Sequence, residues 1–278
     1  MSKTNPLVSI VLVFYNAEQY IKEAVDSIMN QSFKDFELLL IDDGSTDKSV
    51  SVVNEYKDKR IHLIHNNHDY IMSLNLGLKK ARGKYIARMD ADDIMHPDRL
   101  LIQYSLMEDK PEIDFCSSWS TLFTEKRGHT FLCKNLSGIV VDPLVSMLQT
   151  NIFIHSSMMF KKEFIKRNRL TYLCYSHTED YKMWVEAAKL GAVFFVEPQI
   201  LLCYRGHKQQ VSNKYSEIQE STSIRIKEEI MEYLLPRIPK EIKGLYVSLC
   251  MMEEKKMVKP GYRFALMYDV LKYNKIKL

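Results

Sequence analysis

Two acidic clusters, each directly after an apolar run, are the side chains best placed to do chemistry. Asp90-Ala91-Asp92-Asp93 puts three carboxylates within four residues. Such carboxylates repel one another, and a divalent cation resolves the conflict, with oxygen ligands favouring Mg²⁺ or Mn²⁺ over Zn²⁺. Because these ions are also held by substrate phosphates, the cluster predicts a phosphate-bearing ligand. The alternative is an acidic turn that caps the next helix.

The second cluster is Asp42-Asp43-Gly44-Ser45-Thr46-Asp47. Its last three residues have a structural explanation, since a hydroxyl can cap a helix and an acid favours the helix N-terminus. That does not explain Asp42 and Asp43, which precede the turn and could accept a hydrogen bond from a base N–H or a ribose hydroxyl. Tyr15, in Phe14-Tyr15-Asn16, could stack on a planar base. An aromatic residue at a strand end is, however, more often part of the core.

A third candidate is Glu179-Asp180-Tyr181 at the start of a predicted helix. Two acids in a first turn commonly complement the helix dipole. The functional alternative is a general base for an acceptor hydroxyl.

Alternating strands and helices would bring these distant segments together. Buried strands are predicted at Val8–Phe14, Phe36–Ile41, Arg60–His65 and Lys84–Met89, with helical periodicity between them. This alternation predicts a parallel sheet with right-handed crossovers, in which ligands bind at the carboxyl ends of the strands. Both acidic clusters follow such ends.

The remaining chain is less regular. Further elements are predicted as a helix from Pro97, a strand at Ile113–Trp119, a hairpin within 120–135, a helix at Leu144–Thr150, a strand at Ser157–Phe160 and a helix at Thr178–Leu190. Helical patterns follow at Ile218–Leu235, Ile242–Glu253 and Tyr262–Tyr273. We therefore expect an α/β domain over residues 1–212 and a helical C-terminal appendage over 213–278.

Composition narrows the classes of protein. The chain has 278 residues, 46% of them apolar, and a net charge of +4, which does not indicate nucleic-acid binding. Five cysteines without a CxxC pair argue against a disulfide framework or a zinc site and for a reducing compartment. No apolar stretch approaches the ~20 residues that span a bilayer. We expect a soluble cytoplasmic protein, at most peripheral at the inner face of the membrane.

The C-terminus is basic, ending in Lys272, Lys275 and Lys277. Such a tail could contact anionic lipid headgroups, and the alternative is a solvated helical face.

In order along the chain, these segments resemble the family 2 glycosyltransferases, which are inverting enzymes with the GT-A fold. The matching stretches are 8–16, 27–32, 40–47, 74–77 and 81–93, followed by His155, Glu179-Asp180-Tyr181, Trp184 and Tyr204-Arg205-Gly206-His207. Together they cover about residues 7–212. The resemblance implies a Rossmann-like, mostly parallel sheet flanked by helices, and a nucleotide diphosphate sugar as donor with a glycan or lipid-linked acceptor.

The resemblance also implies roles for individual residues. Tyr15 and Asp43 would hold the base, usually uridine, and Phe14, Asp42 and Arg82 would belong to the same nucleotide-sugar site. Asp90 would lie near the ribose, Asp92 would bind the Mn²⁺ or Mg²⁺ that bridges the diphosphate, and Asp180 would be the catalytic base. The metal site would include Asp90, and His207 could reach back to the diphosphate or the metal.

The sequence departs from the family pattern in two places. Ser156 stands where a proline usually follows His155. The Gln-x-x-Arg-Trp signature of processive members is absent, which favours transfer of a single sugar per acceptor visit. Two other functions stay open: an Asp-x-Asp phosphohydrolase using Asp90 and Asp92, and a nucleotide-sugar binding partner without turnover, for example in polysaccharide synthesis.

Overall fold

Apolar runs separated by amphipathic segments fold into a sheet covered by helices on both faces. The computed structural model describes residues 5–124, 128–133, 136–207, 210 and 214–254, without the side chains of 128–133 and 253–254. Its strands are β1 Val8–Phe14, β2 Phe36–Asp42, β3 Ile61–His65, β4 Tyr85–Asp90, β5 Ile94–Met95, β6 Phe115–Thr124, β7 Gly128–Cys133, β8 Gly138–Ile139, β9 Met159–Lys161 and β10 Phe194–Gly206.

Nine helices lie between and after these strands in the part of the chain that the structure describes. They are α1 Ile21–Met29, α2 Ser49–Asn54, α3 Tyr70–Lys80, α4 Arg99–Asp109, α5 Pro143–Met147, α6 Lys162–Asn168, α7 Glu179–Lys189, α8 Ser216–Leu234 and α9 Lys240–Glu254. A 3₁₀ turn spans His155–Ser157. The helix predicted from Pro97 begins two residues later, at Arg99. The third C-terminal helix predicted at Tyr262–Tyr273, with the basic tail at Lys272, Lys275 and Lys277, lies outside the described residues.

One sheet organises the chain, in the order β3-β2-β1-β4-β9-β6-β10-β5, with β7 on β6 and β8 on β10. The first four strands are parallel, as their alternation with helices predicted. Strand β9 then lies antiparallel between β4 and β6, while β6 and β10 are parallel again. The predicted hairpin is β6 with β7. The α/β class is therefore confirmed, in a mixed sheet whose first half is parallel.

Both faces of β1, β2 and β4 are buried, which explains their mostly apolar sequences. Along β1, Val11 and Val13 join the core that includes α3, α7 and α8. Ile10 and Leu12 point the other way, into the core that includes α1 and α4. The sheet is therefore fixed from two sides, and the ends of its strands form a rigid edge.

The C-terminal helices pack onto the first of these cores. Ile226 and Ile230 of α8 are fully buried in it together with Trp184 of α7. Lys182 of α7 also forms an ion pair with Glu229 of α8. Helical structure after residue 215 is as predicted, whereas a domain boundary at 212/213 stays a prediction. Among the described residues, no helix is long and apolar enough to cross a membrane.

Gly83 marks the closest backbone approach at the start of β4. A Cβ added there would lie 2.5 Å from the backbone nitrogen of Ser9 and 2.9 Å from the carbonyl oxygen of Tyr85. We expect Gly83→Ala to lower the free energy of unfolding by about 1–3 kcal/mol, because the backbone must move to relieve overpacking. Denaturant titration measures this change.

Gly244 provides the matched control for this substitution. It lies within α9, and an added Cβ would meet nothing within 4 Å. Gly244→Ala should therefore stabilise by roughly 0.5–1 kcal/mol through helix propensity. Equal unfolding midpoints for Gly83→Ala and the wild type would contradict the close packing at the start of β4.

Candidate active site

The two acidic clusters meet at one edge of the sheet. In the register of the parallel strands, Val13 of β1 pairs with Asp90 of β4, and Phe14 pairs with Asp42 of β2. The clusters therefore flank the end of β1, on strands about 10 Å apart. This is the arrangement expected from the alternation of strands and helices.

Asp90 is held by a buried arginine. The Nη2 atom of Arg88, which is only 1% exposed, lies 2.6 Å from Oδ1 of Asp90 and 2.9 Å from the hydroxyl of Tyr70. Burial, together with the nearby Asp92 carboxylate, raises the pKa of Asp90 despite this ion pair. The Nε atom of Arg88 is buried without a hydrogen-bond acceptor among the described residues. Arg88 was not predicted as a site residue, although a charged side chain inside an otherwise apolar strand could have indicated a role at the site.

Asp92 instead faces a histidine from the far end of the chain. Its Oδ2 atom lies 2.9 Å from Nε2 of His207, and the ring of Tyr20 lies 5.0 Å from the His207 ring. Strand β10 carries His207 to this edge. A carboxylate with an imidazole beside it is a donor set that suits a divalent ion completed by substrate phosphates. Among the described residues, no group of three His, Cys, Asp or Glu side chains could hold a metal ion by itself.

Asp93 has a structural role. It is 1% exposed, and it accepts hydrogen bonds from the backbone N–H of Arg205 at 2.9 Å and from the hydroxyl of Ser156. Burial, followed by the carboxylates of Asp92 and Asp90, raises its pKa well above the usual range. Ser156 stands at the position where the resemblance predicts a proline. Its hydroxyl fixes the acidic loop from the side of the 3₁₀ turn.

The first two carboxylates of the second cluster, Asp42 and Asp43, are engaged in hydrogen bonds within the protein. Asp42 accepts hydrogen bonds from the backbone of Ser45 at 2.9 Å and lies 2.9 Å from Nδ1 of His65. Asp43 accepts hydrogen bonds from the backbone of Asp69 at 2.9 Å and from the hydroxyl of Ser73 at 2.7 Å.

An exposed aromatic platform adjoins this cluster. Tyr15 is 45% exposed, and its ring centroid lies 4.2 Å from that of His68. Nδ1 of His68 lies 3.1 Å from the carbonyl oxygen of Asp43. His68 therefore contacts both the ring of Tyr15 and the backbone of Asp43. Sequence reasoning had not singled out His68.

Two predicted nucleotide-site residues lie elsewhere. Phe14 is 2% exposed and its side chain belongs to the core, because β1 is buried on both faces. Arg82 precedes β4 and lies 2.6 Å from Glu37 near the start of β2, at the opposite edge of the sheet from Asp90. The six-residue strand β4 separates Arg82 from the acidic cluster, so we exclude Arg82 from the site.

Asp180 lies in the first turn of α7, as its second residue. Burial raises its pKa to about 6, while the backbone N–H of Tyr181 and the Asn151 side chain oppose the shift by donating to its carboxylate. The Nδ2 atom of Asn151 lies 2.8 Å from Oδ2 of Asp180. The charge of Asp90 also raises the pKa of Asp180, which places the two carboxylates within electrostatic reach. Asn151 carried no pattern that sequence reasoning could use.

His155 completes the wall behind Arg88. Its Nε2 atom lies 2.8 Å from the hydroxyl of Tyr172. Burial, and then the charge of Arg88, lower its pKa well below the usual range, so the ring is neutral.

The partly exposed Asp92 carboxylate beside His207 and the exposed ring of Tyr15 thus lie at one edge of the sheet. The charge of Asp90 at this edge also acts on Asp180 of α7, whose pKa is about 6. Such a set can bind a nucleotide diphosphate and remove a proton. Of the predicted residues, Asp42, Asp43, Asp90, Asp92, Tyr15 and His207 lie at this edge.

Known proteins share this sequence pattern. The profile of "Glycosyl transferase family 2" matches residues 9–168. A Haemophilus influenzae protein named "Uncharacterized glycosyltransferase" is 36% identical over 250 residues, which are 86% of this chain and 77% of that protein. The Escherichia coli UDP-Glc:alpha-D-GlcNAc-diphosphoundecaprenol beta-1,3-glucosyltransferase WfaP is 29% identical over 78% of this chain and 85% of its own.

Solved structures share the fold at low sequence identity. Staphylococcus aureus TarS 1-349, in complex with UDP-GlcNAc, is similar with a TM-score of 0.68 at 16% identity, covering 98% of this chain and 76% of TarS 1-349. The mannosyltransferase PcManGT from Pyrobaculum calidifontis, in complex with GDP-Man and Mn²⁺, gives 0.60 at 16% identity, with 99% and 82% covered. With more than half of its length matched by the family profile, this chain belongs to glycosyl transferase family 2 and is a glycosyltransferase with the GT-A fold.

Proposed function

We propose that this protein transfers a single sugar from a UDP-sugar to an acceptor hydroxyl, with inversion at the anomeric carbon, in the synthesis of a cell-surface polysaccharide or glycolipid. The observation that carries the proposal is the single edge shared by Asp92, His207 and the two acidic clusters, with Asp180 in electrostatic reach of Asp90. The family membership decides against the phosphohydrolase. Membrane contact through the basic C-terminus belongs to the same proposal.

In the proposed reaction Asp180 takes the proton of the acceptor hydroxyl as its oxygen forms a bond to the anomeric carbon. The bond from that carbon to the diphosphate breaks on the opposite face, and the electron pair leaves with the diphosphate. Direct displacement therefore inverts the anomeric configuration. A carboxyl group with a pKa of about 6 suits this role, since it is mostly ionised at neutral pH yet basic enough to accept a proton.

The donor would be held by the groups at the ends of β1, β2 and β4. Tyr15 offers an exposed ring face for the base, and Asp43 lies behind it. Asp92 and His207 would hold a divalent ion, which when bound offsets the charge on the leaving diphosphate. Asp90, fixed by Arg88, would face the ribose. The divalent metal has its parallel in PcManGT, which binds Mn²⁺ together with GDP-Man.

The proposals of uridine as the base and of a lipid-linked acceptor are supported by the name of one relative and by the ligand of one solved structure. The Escherichia coli relative is named for UDP-Glc and a diphosphoundecaprenol acceptor, and the TarS 1-349 structure contains UDP-GlcNAc. PcManGT binds GDP-Man instead. The base is therefore the first property to measure.

Thermal unfolding with nucleotides tests the donor site. We expect UDP with Mn²⁺, at ~100 times its dissociation constant, to add about 2.7 kcal/mol to the free energy of unfolding. UDP with EDTA, and ADP with Mn²⁺, are the controls and should give a smaller shift. A larger shift with GDP would change the assigned base, and no shift with any nucleotide would contradict the donor site.

Turnover separates a transferase from a binding partner. The enzyme should slowly release UDP from a UDP-sugar when water replaces the acceptor. A protein that binds UDP in the presence of Mn²⁺ but never releases it from any UDP-sugar would instead be the non-catalytic partner.

A further inference from the structure

A cavity lies beside Asn151, where α8 covers the N-terminal end of α7. Its volume is about 340 Å³. Three segments line it: Thr150 and Asn151, then His177, Thr178 and Tyr181, and the inner face of α8, with Met251 of α9 at its side. The size falls at the lower end of the range for small-ligand pockets. The family profile matches residues 9–168, and most of the residues that line this cavity follow that range.

The cavity reaches the proposed base through one residue. Asn151 lines it, and the Nδ2 atom of Asn151 lies 2.8 Å from Oδ2 of Asp180. Thr178 also lines it, is only 6% exposed, and has a buried hydroxyl without a hydrogen-bond partner among the described residues. A buried hydroxyl left unpaired costs free energy.

Helix α8 and the loop before α7 form the outer wall together. The backbone of His177 is left-handed, with φ of 62°, which a residue with a side chain rarely adopts. The amide of Gln219 donates to its carbonyl oxygen at 2.9 Å, and the ring of Tyr215 stacks on its ring at 4.2 Å. Thr222 adds a hydrogen bond to the carbonyl oxygen of Ser176. The wall is therefore fixed by specific contacts.

The chemistry of the lining favours a neutral, hydroxyl-rich ligand. Ser216, Ser223 and Gln219 can both donate and accept hydrogen bonds, as sugar hydroxyls do. The two charged side chains, Glu220 and Lys227, have opposite signs, and Lys227 already donates to the carbonyl oxygen of Gln149 at 2.8 Å. Burial lowers the pKa of His177, so its ring adds no charge near pH 7. Met251 supplies apolar surface for the C–H face of a sugar ring.

We propose that this cavity binds a neutral sugar ring of the acceptor and directs its hydroxyl groups toward Asp180. The inference rests on the proposed transferase function and adds the chemical class of the acceptor and the elements that recognise it. Helix α8 is then a specificity element, because it supplies the outer wall beyond the part of the chain that the family profile covers.

Filling the cavity tests this proposal. Ser223 lines it and Ser221 lies two residues away on the exposed side of the same helix, outside the lining. Ser223→Phe should abolish binding of the cognate sugar, and Ser221→Phe should leave it unchanged. The probes are the methyl glycosides of glucose, galactose and N-acetylglucosamine, each added to the full chain with UDP and Mn²⁺. Saturation-transfer NMR detects their binding independently of turnover.

Release of UDP from a UDP-sugar is measured in parallel. Water-driven release should be the same in both variants, whereas its acceleration by the bound glycoside should be lost only in Ser223→Phe. Binding of a glycoside that survives Ser223→Phe, or no binding of any of the three to the wild type, would overturn the cavity proposal. Glycoside binding without release of UDP from any UDP-sugar would sink the proposed transfer instead.

Discussion

Replacing Asp180 with Asn is expected to lower the turnover number by about 10²–10⁴-fold, the range that a positioned general base supplies. An amide of the same shape can still accept the hydrogen bonds that the carboxylate receives from the Tyr181 backbone, but it cannot take up the acceptor's proton. The KM for the donor should be unchanged, because the proposed donor and metal contacts lie at the ends of β1, β2, β4 and β10 and not on α7. Steady-state release of UDP in the presence of acceptor measures both quantities.

The adjacent acid provides a matched control. Glu179 is 8% exposed, and burial followed by the charge of Asp180 raises its pKa to about 8. It is therefore mostly protonated at neutral pH, and Glu179→Gln replaces one neutral group by another. Turnover close to that of the wild type is expected. Equal losses in the two variants, or full turnover in Asp180→Asn, would show that Asp180 is not the base.

The pH profile of turnover gives an independent reading of the same assignment. Because the base acts in its ionised form and its pKa is about 6, turnover should fall as the pH drops through that value. The residual activity of Asp180→Asn should lack this acidic limb. An unchanged limb in the variant would assign the titrating group to another residue.

The parallel half of the sheet could be predicted because its signals are local. Strands β1 and β2 are seven-residue apolar runs buried on both faces, and each ends at a turn that sequence alone reveals. Parallel strands share one carboxyl edge, so the meeting of Asp42 and Asp90 followed from strand order.

Strand β10 could not be predicted in the same way. Its apolar run is interrupted by Glu197-Pro198-Gln199, and a proline within a run argues against a strand. The structure accommodates the interruption as an irregularity in the pairing with β6 between Glu197 and Ile200. Only this strand explains how His207 comes to lie 2.9 Å from Asp92, 115 residues away in sequence.

Residues that are close in a sequence motif can lie far apart in the folded protein. Arg82 lies within the matched stretch that ends in the acidic cluster, but β4 runs between them and spans about 20 Å over six residues. Conversely, Asn151 contacts Asp180 without belonging to any recognisable pattern, and Arg88 contacts Asp90 although nothing in its matched stretch indicates this ion pair. Single residues that act through a tertiary contact leave no periodic trace, and the position of the contact is a property of the packed fold.

The second large effect is expected at Asp92. Asp92→Asn should remove the Mn²⁺-dependent part of the stabilisation by UDP and lower turnover by about 10²–10³-fold, since a bound metal supplies several kcal/mol of transition-state stabilisation. Asn keeps the volume of Asp and can still hydrogen-bond to His207, so the fold should be preserved. Thermal unfolding with UDP, with and without Mn²⁺, measures the first effect, and UDP release the second.

A carboxylate at the opposite edge of the sheet serves as the control. Asp109 is exposed at the end of α4, next to Glu108, whose contacts with Lys84 and Tyr85 place it at the start of β4. Asp109→Asn removes the same charge from the protein but not from the site. It should keep both the metal effect and turnover, which excludes a general effect of net charge.

The outcome at Asp92 decides how the acidic cluster works, because its three carboxylates have different partners. Asp90 forms an ion pair with the buried Arg88. Asp93 accepts hydrogen bonds from the backbone N–H of Arg205 and from the hydroxyl of Ser156. That leaves Asp92, 29% exposed at its side chain, as the carboxylate that can bind a metal ion together with His207. If Asp92→Asn kept the full Mn²⁺ effect, the ion would have to be held by Asp90, and the ion pair with Arg88 would have to open when the donor binds.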